Sequence, residues 1–592
     1  MKKKVLAMIL TLSLTAGVLF GCGGSKESAA EDDGTNGSVV YEETTEATAS
    51  TEEAPAEATE EYYVTESTET EVCTEMSAEE TTETEAESPL AENKTSEKQI
   101  ESYIEGCYDY NIEKANTEEY SKWEEKGFSG VLAEPLSTFS ADVDTASYSN
   151  LRRLITDGYG IEDIPEGAVR VEEMLNYFDY DYQAPEGSEP FGVTTHISKC
   201  PWNEEAQLLM IGLQTEEIDY EQAPASNLVF LLDVSGSMNN ADKLPLLQEA
   251  FSLLAENLTE KDRVSIVTYA GEDKVVLKGA AGDETRKIKK AISNLEAGGG
   301  TNGSKGIETA YEIAEEYFIE GGNNRVILAT DGDLNIGLTT EEELEELITE
   351  KKESGIFLSV LGFGTGNIKD NKMEILADKG NGNYAYIDSM TEAKKVLVEE
   401  MAATLLTICK DVKLQVEFNP AVVSAYRLIG YENRTLNKED FHDDTKDAGE
   451  IGAGHSVTVL YELILKDQLT SVSEEEIEGL KYKENYKEEL EAAGGSDSKA
   501  ISEEWLTLSI RYKKPAEDES SLLQYPMGFE SYEYNPHEDF VFAAAVAEFG
   551  LLASDSSYQG DASVKEVKSA LKSIDLNDEY KEEFYELVKM AE

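Results

Sequence analysis

Five oxygen-bearing side chains follow, or lie between, two short apolar runs of the chain. They are the side chains of Asp233, Ser235, Ser237, Thr301 and Asp331. The two aspartates come directly after the runs 228–232 and 326–330, and the threonine lies in the glycine-rich stretch 298–303. Short apolar runs bounded by turn residues are typical of buried strands in a parallel sheet. We therefore expect both aspartates at strand ends.

Carboxylate and hydroxyl oxygens in this order favour the binding of a hard cation. Mg²⁺ is the expected ion, with Mn²⁺ or Ca²⁺ as substitutes, because all three prefer oxygen ligands. In open α/β sheets, ligands bind at the carboxyl ends of the strands, where these side chains are expected. The alternative is that residues 233–237 form only a turn with an aspartate cap. That alternative leaves the coincidence of three separated stretches unexplained.

The segments around these residues alternate between strand and helix patterns. The predicted strands are 228–232, 263–269, 274–277, 325–330, 356–361 and a short one near 384–386. The predicted helices are 243–258, 285–296, 304–318, 340–354, 370–379 and 391–408. Such alternation predicts a doubly wound, mainly parallel α/β sheet. The second and third strands are close enough in sequence to form a hairpin.

The order Asp-x-Ser-x-Ser, then Thr, then Asp resembles the metal-ion-dependent adhesion site of von Willebrand factor type A domains. The resemblance implies a Rossmann-like α/β domain. It also implies that the three hydroxyl groups contact the ion directly and that the two carboxylates do so directly or through water. A carboxylate from a protein ligand would then complete the coordination of the ion. No covalent bond is broken in such a role, so the expected protein is a binding protein and not an enzyme.

Two further stretches, 140–148 and 170–178, resemble the N-terminal extension of a family of bacterial lipoproteins that contain a type A domain. The chain then divides into a mixed α+β region at 101–225, the type A domain at 226–408 and a C-terminal region at 409–592. Alternating patterns in the C-terminal region predict a β-sandwich followed by helices. The sequence leaves open whether strands before the type A domain join that sandwich, which would make this domain an insertion.

The N-terminus has the pattern of an export signal. Lysines precede an apolar stretch that is short for a membrane-spanning helix. The stretch ends in Leu-Phe-Gly-Cys22, which resembles the lipobox of bacterial lipoproteins and implies cleavage after residue 21 and lipidation of Cys22. The alternative is an ordinary secretory signal. Residues 22–100 are rich in Glu and Thr and predict a disordered acidic stalk. The expected location is the extracellular face of the cell membrane.

Composition excludes several other functions. The chain has 122 acidic against 50 basic residues and a net charge of −72, which argues against nucleic-acid binding. Five cysteines without CxxC spacing argue against a zinc site, and no disulfide is predicted. The stretch Asp142-Val-Asp144 is similar to the nucleophile motif of a phosphatase. Such an enzyme also needs a supporting lysine and a second acidic loop, and this region has neither. Asp142 and Asp144 are therefore interpreted as capping residues of a turn.

Two glycine patterns of the chain are similar to nucleotide-binding motifs. Gly298-x-Gly300-x-x-Gly303 follows a predicted helix instead of a strand, so it lacks the context of a dinucleotide fingerprint. The stretch 362–366, Gly-Phe-Gly-Thr-Gly, follows a strand but lacks the spacing that opens a helix. Neither pattern predicts nucleotide binding. No histidine lies between residues 197 and 441, so no nucleophile–base pair is evident near the predicted metal site.

These observations predict a cell-surface lipoprotein that binds a protein ligand through a divalent metal ion, with the membrane reached through lipidated Cys22. The alternative is a structural or assembly scaffold of an envelope complex, in which the metal is only stabilising. A hydrolase is the weakest hypothesis because no catalytic constellation is present. The identity of the ligand does not follow from the sequence.

Overall fold

The computed structural model describes most of the chain beyond residue 116. The described residues are 117–141, 144–218, 223–300, 303–332, 341–400, 406–446, 448–466, 481, 504–515, 517 and 519–592. The predicted signal peptide (1–21), Cys22, the predicted stalk and Thr301 lie outside these ranges. The described residues form one compact unit.

The described residues form strands and α-helices with the following bounds. The strands are β1 (Ser129–Gly130), β2 (Leu136–Ser140), β3 (Phe191–Lys199), β4 (Ala206–Thr215), β5 (Ser226–Asp233), β6 (Arg263–Tyr269), β7 (Asp273–Ala281), β8 (Asn323–Thr330), β9 (Ile356–Phe363), β10 (Tyr384–Ile387), β11 (Thr407–Phe418), β12 (Val423–Ile429), β13 (Ile451–Gly452), β14 (Ser456–Leu465), β15 (Glu504–Lys513) and β16 (Ser521–Gly528). The helices are α1 (Ala146–Thr156), α2 (Val171–Asn176), α3 (Leu244–Leu254), α4 (Thr285–Ser293), α5 (Gly303–Glu316), α6 (Glu341–Glu353), α7 (Asp370–Lys379), α8 (Met390–Lys394), α9 (Glu538–Ala553), α10 (Val564–Leu571) and α11 (Glu579–Met590).

The central domain is a six-stranded sheet with helices on both faces, as predicted. Its strand order is β10-β9-β8-β5-β6-β7, and all neighbours are parallel except the β6–β7 hairpin. Alternate side chains of β5 explain the two layers. Leu228, Phe230 and Leu232 pack in the same core as α3, whereas Val229 and Leu231 pack in the same core as α5. A strand that is buried on both faces needs a continuous apolar run, which β5 supplies.

Strands from both sides of the central domain build a β-sandwich. One sheet has the order β1-β12-β14-β4-β3, and in the other β13, β11, β15 and β16 are neighbours, with β2 also paired to β11. The pairs β4–β14 and β2–β11 join strands that precede and follow the central domain. Apolar residues of both sheets share one core. Strands on both sides of the central domain therefore belong to one sandwich, and the central domain is inserted into it.

The C-terminal helices pack with α1 and α2 against the sheet that contains β4 and β14, in a second apolar core. Helix α9 is buried on nearly all sides, because α2, α10 and the sheet surround it. Most of its sixteen residues are apolar for this reason. Within the described ranges, no helix has both the length and the apolar character needed to cross a membrane.

The predicted helix 391–408 is wrong at its C-terminal end. Helix α8 stops at Lys394 and continues as one π-helical turn over Lys395–Glu399. Residues 407–410 already belong to β11, where Cys409 pairs with Ile451 of β13. Strand pairing with a distant segment overrides the local helical pattern here. Residues 401–405 lie outside the described ranges.

Buried ion pairs fix the inserted domain to the sandwich. We call this set the domain clamp; it consists of Arg170, Arg434, Asp144, Glu173, Asp370, Glu374 and Asp378. Arg170 Nη1 lies 3.0 Å from Asp370 Oδ2 on α7 of the inserted domain, and Arg170 Nε pairs with Glu173. Arg434 contacts Asp144 at 3.0 Å and Asp378 at 2.9 Å. The two guanidinium groups thus hold α7 against the sandwich side of the molecule.

The interpretation of Asp144 as a capping residue is wrong. Its carboxylate accepts a hydrogen bond from Tyr384 N of β10 at 2.8 Å and pairs with Arg434, and the residue is 3% exposed. Thr145 precedes α1 and forms no side-chain cap. A long-range ion pair of this kind has no local sequence pattern, which explains why sequence reasoning missed it. Asp142 lies outside the described residues.

Candidate metal centre

The topology of the sheet brings the two predicted metal-binding aspartates together. β5 and β8 are parallel neighbours with Leu232 opposite Ala329. β5 ends at Asp233 and β8 ends one residue before Asp331, so both carboxylates lie at the same edge of the sheet. Each of these aspartates is 0% exposed. Two carboxylates buried this closely need a cation or a proton to neutralise them.

The Asp-Val-Ser-Gly-Ser turn orients its own side chains by hydrogen bonds. Ser235 N donates to Asp233 Oδ1 at 2.8 Å, and Thr330 Oγ1 donates to Asp233 Oδ2 at 3.2 Å. The Ser235 and Ser237 hydroxyl oxygens lie 2.9 Å apart. Ser235 is buried, whereas Ser237 is exposed. The aspartate-capped turn considered as an alternative is therefore present, but it coexists with a cluster of oxygens that opens toward solvent at Ser237.

The glycine-rich loop lies against this turn. Gly298 N donates to Val234 O at 2.8 Å, and Gly236 N donates to Gly299 O at 3.2 Å. Gly299 has a φ of +87°, a conformation that favours glycine. The loop that leads to residue 301 is thus held beside the aspartates. The structure brings four of the five predicted ligands together, and Thr301 is outside its described residues.

A lysine that sequence reasoning missed completes the cluster. Lys243 Nζ lies 2.9 Å from Asp331 Oδ2 and 2.7 Å from Asn367 Oδ1, and the residue is only 3% exposed. Lys243 directly precedes α3, and Asn367 lies in the loop after β9. A lysine at the start of an amphipathic helix is normally solvated, so the sequence carries no signal for this contact.

The two aspartates differ in their electrostatic surroundings. Burial raises the pKa of Asp233 to about 6; the hydrogen bond from Ser235 N opposes this rise, and the negative charge of Asp331 adds to it. Burial also raises the pKa of Asp331, but the charge and hydrogen bond of Lys243, with hydrogen bonds from Ser237 and Asn367, together outweigh it, so this pKa lies below its usual value. Among the described residues, Asp233 has no cationic side chain as a partner. Asp233 is therefore the carboxylate that gains most from a metal ion.

The donor set fits a hard divalent cation. Aspartate and serine supply oxygen donors, and the site contains a buried carboxylate whose charge is not neutralised within the described part of the chain. A second trio, Asp144, Glu173 and Glu374, also has carboxylate oxygens within 4.8 Å of one another. Each carboxylate of that trio already contacts a guanidinium group of the domain clamp, which leaves a metal ion little to gain there.

Comparisons with known proteins agree with this architecture. A model of the von Willebrand factor type A domain matches residues 227–399, a model described as von Willebrand factor matches 114–210, and one described as the C-terminal part of uncharacterized protein YfbK matches 403–592. The chain is 40% identical over 491 residues to the uncharacterized protein YfbK of Escherichia coli strain K12, which covers 81% of this chain and 82% of YfbK. The chain belongs to the YfbK family.

Other proteins resemble this YfbK family member over part of its length. Inter-alpha-trypsin inhibitor heavy chain H3 of Homo sapiens is 30% identical over 192 residues, which is 31% of this chain and 21% of that protein. A solved von Willebrand factor type A structure from Catenulispora acidiphila is 14% identical, with a TM-score of 0.37, over 70% of this chain and 91% of that one.

A third relative is proximal thread matrix protein 1 from the mussel byssus, solved with a zinc-occupied metal-ion-dependent adhesion site. It is 23% identical over 30% of this chain and 45% of that one, with a TM-score of 0.25. Von Willebrand factor type A domains mediate protein–protein interactions and commonly bind a divalent metal ion. Both properties agree with the resemblance drawn from the residues. The ligand set of this chain and its lipid anchor stay predictions.

Proposed function

We propose that this YfbK family member is a surface lipoprotein that binds a protein ligand through a divalent metal ion, Mg²⁺ in the first instance. The proposed ligands are Asp233, Ser235, Ser237, Thr301 and Asp331. The observation that supports this proposal most strongly is the meeting of two buried carboxylates and two serine hydroxyls at the ends of adjacent parallel strands. We propose no catalytic activity.

The residues of the chain have separate tasks in this proposal. A divalent ion at the site supplies a coordination position that an oxygen of the partner's carboxylate can occupy. Ser235 N fixes the carboxylate of Asp233, and Lys243 fixes that of Asp331, so both are oriented before binding. The exposed Ser237 marks the open side of the site, where a partner can approach. Preorganised donors of this kind lose little conformational entropy on binding.

The proposed location depends on the N-terminus. The lipobox resemblance around Cys22 supports lipidation, and two acyl chains are enough for stable anchoring. The acidic composition of residues 22–100 supports a stalk that holds the folded part away from the membrane. Metabolic labelling with a fatty acid analogue, compared between the wild-type chain and Cys22→Ala, tests the anchor directly. Loss of both label and membrane association in the variant is the expected result.

A scaffold role is the second candidate. The domain clamp fixes the inserted domain to the sandwich, and such a rigid connection also suits a protein that organises others in an envelope complex. In that case, partners would bind the sandwich or the helices, and their binding would not depend on the metal.

Ligand capture separates the two candidates. The full chain in detergent is exposed to surface and matrix proteins with Mg²⁺, with a chelator, and as Asp233→Ala; Asp575→Ala, which removes an exposed aspartate of the C-terminal region, is the matched control. Partners lost with the chelator and with Asp233→Ala, but kept by the control, agree with metal-dependent binding. Partners kept in every sample contradict it and favour the scaffold.

A further inference from the structure

The side chain of Lys243 packs against Gly364 in the loop after β9. Gly364 has a φ of +77°, and a Cβ at this glycine would stand 2.3 Å from both Cγ and Cε of Lys243. Any larger residue at position 364 would therefore collide with the lysine stem. The Gly-Phe-Gly-Thr-Gly stretch, which did not fit a nucleotide site, thus has a structural explanation. Glycine at position 364 leaves room for the side chain of Lys243 to extend from the start of α3 to the proposed metal site.

The ammonium group of Lys243 is also held in place by its contacts. Its ammonium group lies between Asp331 and Asn367. The loop that carries Asn367 is itself tied down, because Gly366 N donates to Glu118 Oε1 at 2.8 Å and Glu118 pairs with Arg153 of α1 at 3.1 Å. Lysine is rarely buried to this extent. Its placement beside one aspartate of the metal site is therefore a specific feature of the fold.

The ammonium changes the charge of the site. Asp233 and Asp331 contribute two negative charges, and Lys243 contributes one positive charge at 2.9 Å from Asp331. A divalent ion then leaves the site with a net positive charge, whereas without the lysine the same ion would leave it neutral. In a buried setting, one unit of charge has a large effect on the binding of both the cation and an anionic ligand.

We propose that Lys243 is a built-in cation that keeps the metal-loaded site positively charged, so that the site favours a carboxylate ligand at the expense of metal affinity. This inference rests on the proposed metal-dependent function and names the residue that selects the charge of the ligand. Lys243 acts on the ion and on the ligand through the charge of the site, and it is not itself a metal ligand.

The test uses Mn²⁺ as the metal and acetate as the carboxylate. Mn²⁺ binding to the full chain is followed by water-proton relaxation, and acetate that displaces water from bound Mn²⁺ lowers the relaxation signal. Lys243→Gln and Lys243→Met both remove the charge, and the second keeps the apolar stem. We expect Mn²⁺ affinity to rise about tenfold and acetate affinity for the loaded site to fall about tenfold. Opposite changes are the signature, because structural damage would weaken both.

Two controls separate charge from shape. Asn367→Ala removes one partner of the ammonium but keeps the charge, so both affinities should stay within about twofold of the wild type. Lys565→Met removes an exposed lysine of α10 and should change neither affinity. If Asn367→Ala reproduces the effect of Lys243→Met, position and not charge matters, and the inference is overturned.

The remaining outcomes are distinct. A wild-type chain that binds no Mn²⁺ above the level of Asp233→Ala contradicts the proposed function, and the inference falls with it. A wild type that binds Mn²⁺, with Lys243 variants that leave both affinities unchanged or weaken both, contradicts only the inference. The circular dichroism of each variant confirms that it is folded before either conclusion is drawn.

Discussion

The proposed metal centre and the domain clamp are two clusters of buried carboxylates in one molecule. Their carboxylates differ in the cationic side chains that they contact. In the clamp, Arg170 and Arg434 extend between carboxylates of the sandwich side and of α7, at distances such as 3.0 Å for Arg170–Asp370. In the proposed metal centre, one ammonium contacts one of the two aspartates, and the neighbouring serine hydroxyls carry no charge. Every carboxylate of the clamp has a guanidinium partner, whereas Asp233 of the proposed metal centre has no cationic partner among the described residues.

This difference shows why the proximity of acidic groups is a poor criterion for a metal site. The clamp trio has carboxylate oxygens within 4.8 Å of one another, yet it already has two guanidinium partners. At the metal centre, a buried aspartate stands without a cationic partner among the described residues, next to exposed Ser237. A cluster with an unpartnered carboxylate and an open side can accept an ion, whereas a cluster whose carboxylates all contact guanidinium groups stabilises the fold.

The largest expected effect is on the clamp. Arg170→Met should lower the free energy of unfolding by about 5 kcal/mol, because it leaves buried carboxylates without their cation. Chemical denaturation measures this change. Arg511→Met is the matched control, since Arg511 pairs at 3.1 Å with Asp444 in a more exposed position, and it should cost less than about 1 kcal/mol. Equal effects of the two variants would mean that the clamp does not hold the domains together.

A smaller effect concerns Glu172, which neighbours the clamp on α2. Burial, followed by the negative charges of Glu432 and Glu173, raises its pKa from 4.5 to about 8. The folded chain thus binds more protons than the unfolded chain between these two pH values, and this group makes stability fall as pH rises through that window. Glu172→Gln should remove that loss, so the variant should gain free energy of unfolding relative to the wild type as pH rises from 4.5 to 8.

Denaturation at pH 5 and pH 9 tests this prediction. The variant and the wild type should be similar in stability at the lower pH, and the variant should be more stable at the higher pH. A constant difference between them would show that Glu172 ionises normally in the folded chain. If the prediction holds, a proton is a third way to neutralise a buried carboxylate in this protein, besides a guanidinium group in the clamp and a metal ion in the proposed metal centre.

Sequence reasoning succeeded where local pattern and topology agree. Helix 370–379 and strand 263–269 were predicted with their observed bounds, because each has a regular apolar period and clear breakers. The positions of Asp233 and Asp331 after apolar runs predicted that their carboxylates lie at one edge of the sheet, because parallel strands bring their carboxyl ends together. The insertion of the central domain was left open, since strand pairing between β4 and β14 joins residues far apart in the chain.

The failures share a physical cause. Lys243, Asp144 and the start of β11 at Thr407 are all determined by contacts with distant segments. A buried lysine and a buried aspartate have no period or spacing that distinguishes them from exposed ones. Arg170 precedes α2 and Glu173 lies in its first turn, three residues away. This spacing is a local signal of the clamp, but such pairs are usually solvated.

The smallest predicted effect is at the rim of the metal centre. Ser237→Ala removes one neutral oxygen and should weaken Mn²⁺ binding by about tenfold. It should leave the unfolding free energy of the metal-free chain within about 0.5 kcal/mol of the wild type, because Ser237 is exposed. Calorimetry and denaturation measure the two quantities. A large loss of stability with unchanged metal binding would assign Ser237 to the fold instead of the site.

Titration of Mn²⁺ into three forms of the full chain tests the central claim most directly. The forms are the wild type, Asp233→Ala at the metal centre and Glu374→Gln in the clamp trio. We predict a single tight site in the wild type and in Glu374→Gln, and a loss of affinity of at least about 100-fold in Asp233→Ala. Tight binding that survives Asp233→Ala, or that disappears with Glu374→Gln, would contradict the assignment of the metal to the ends of β5 and β8.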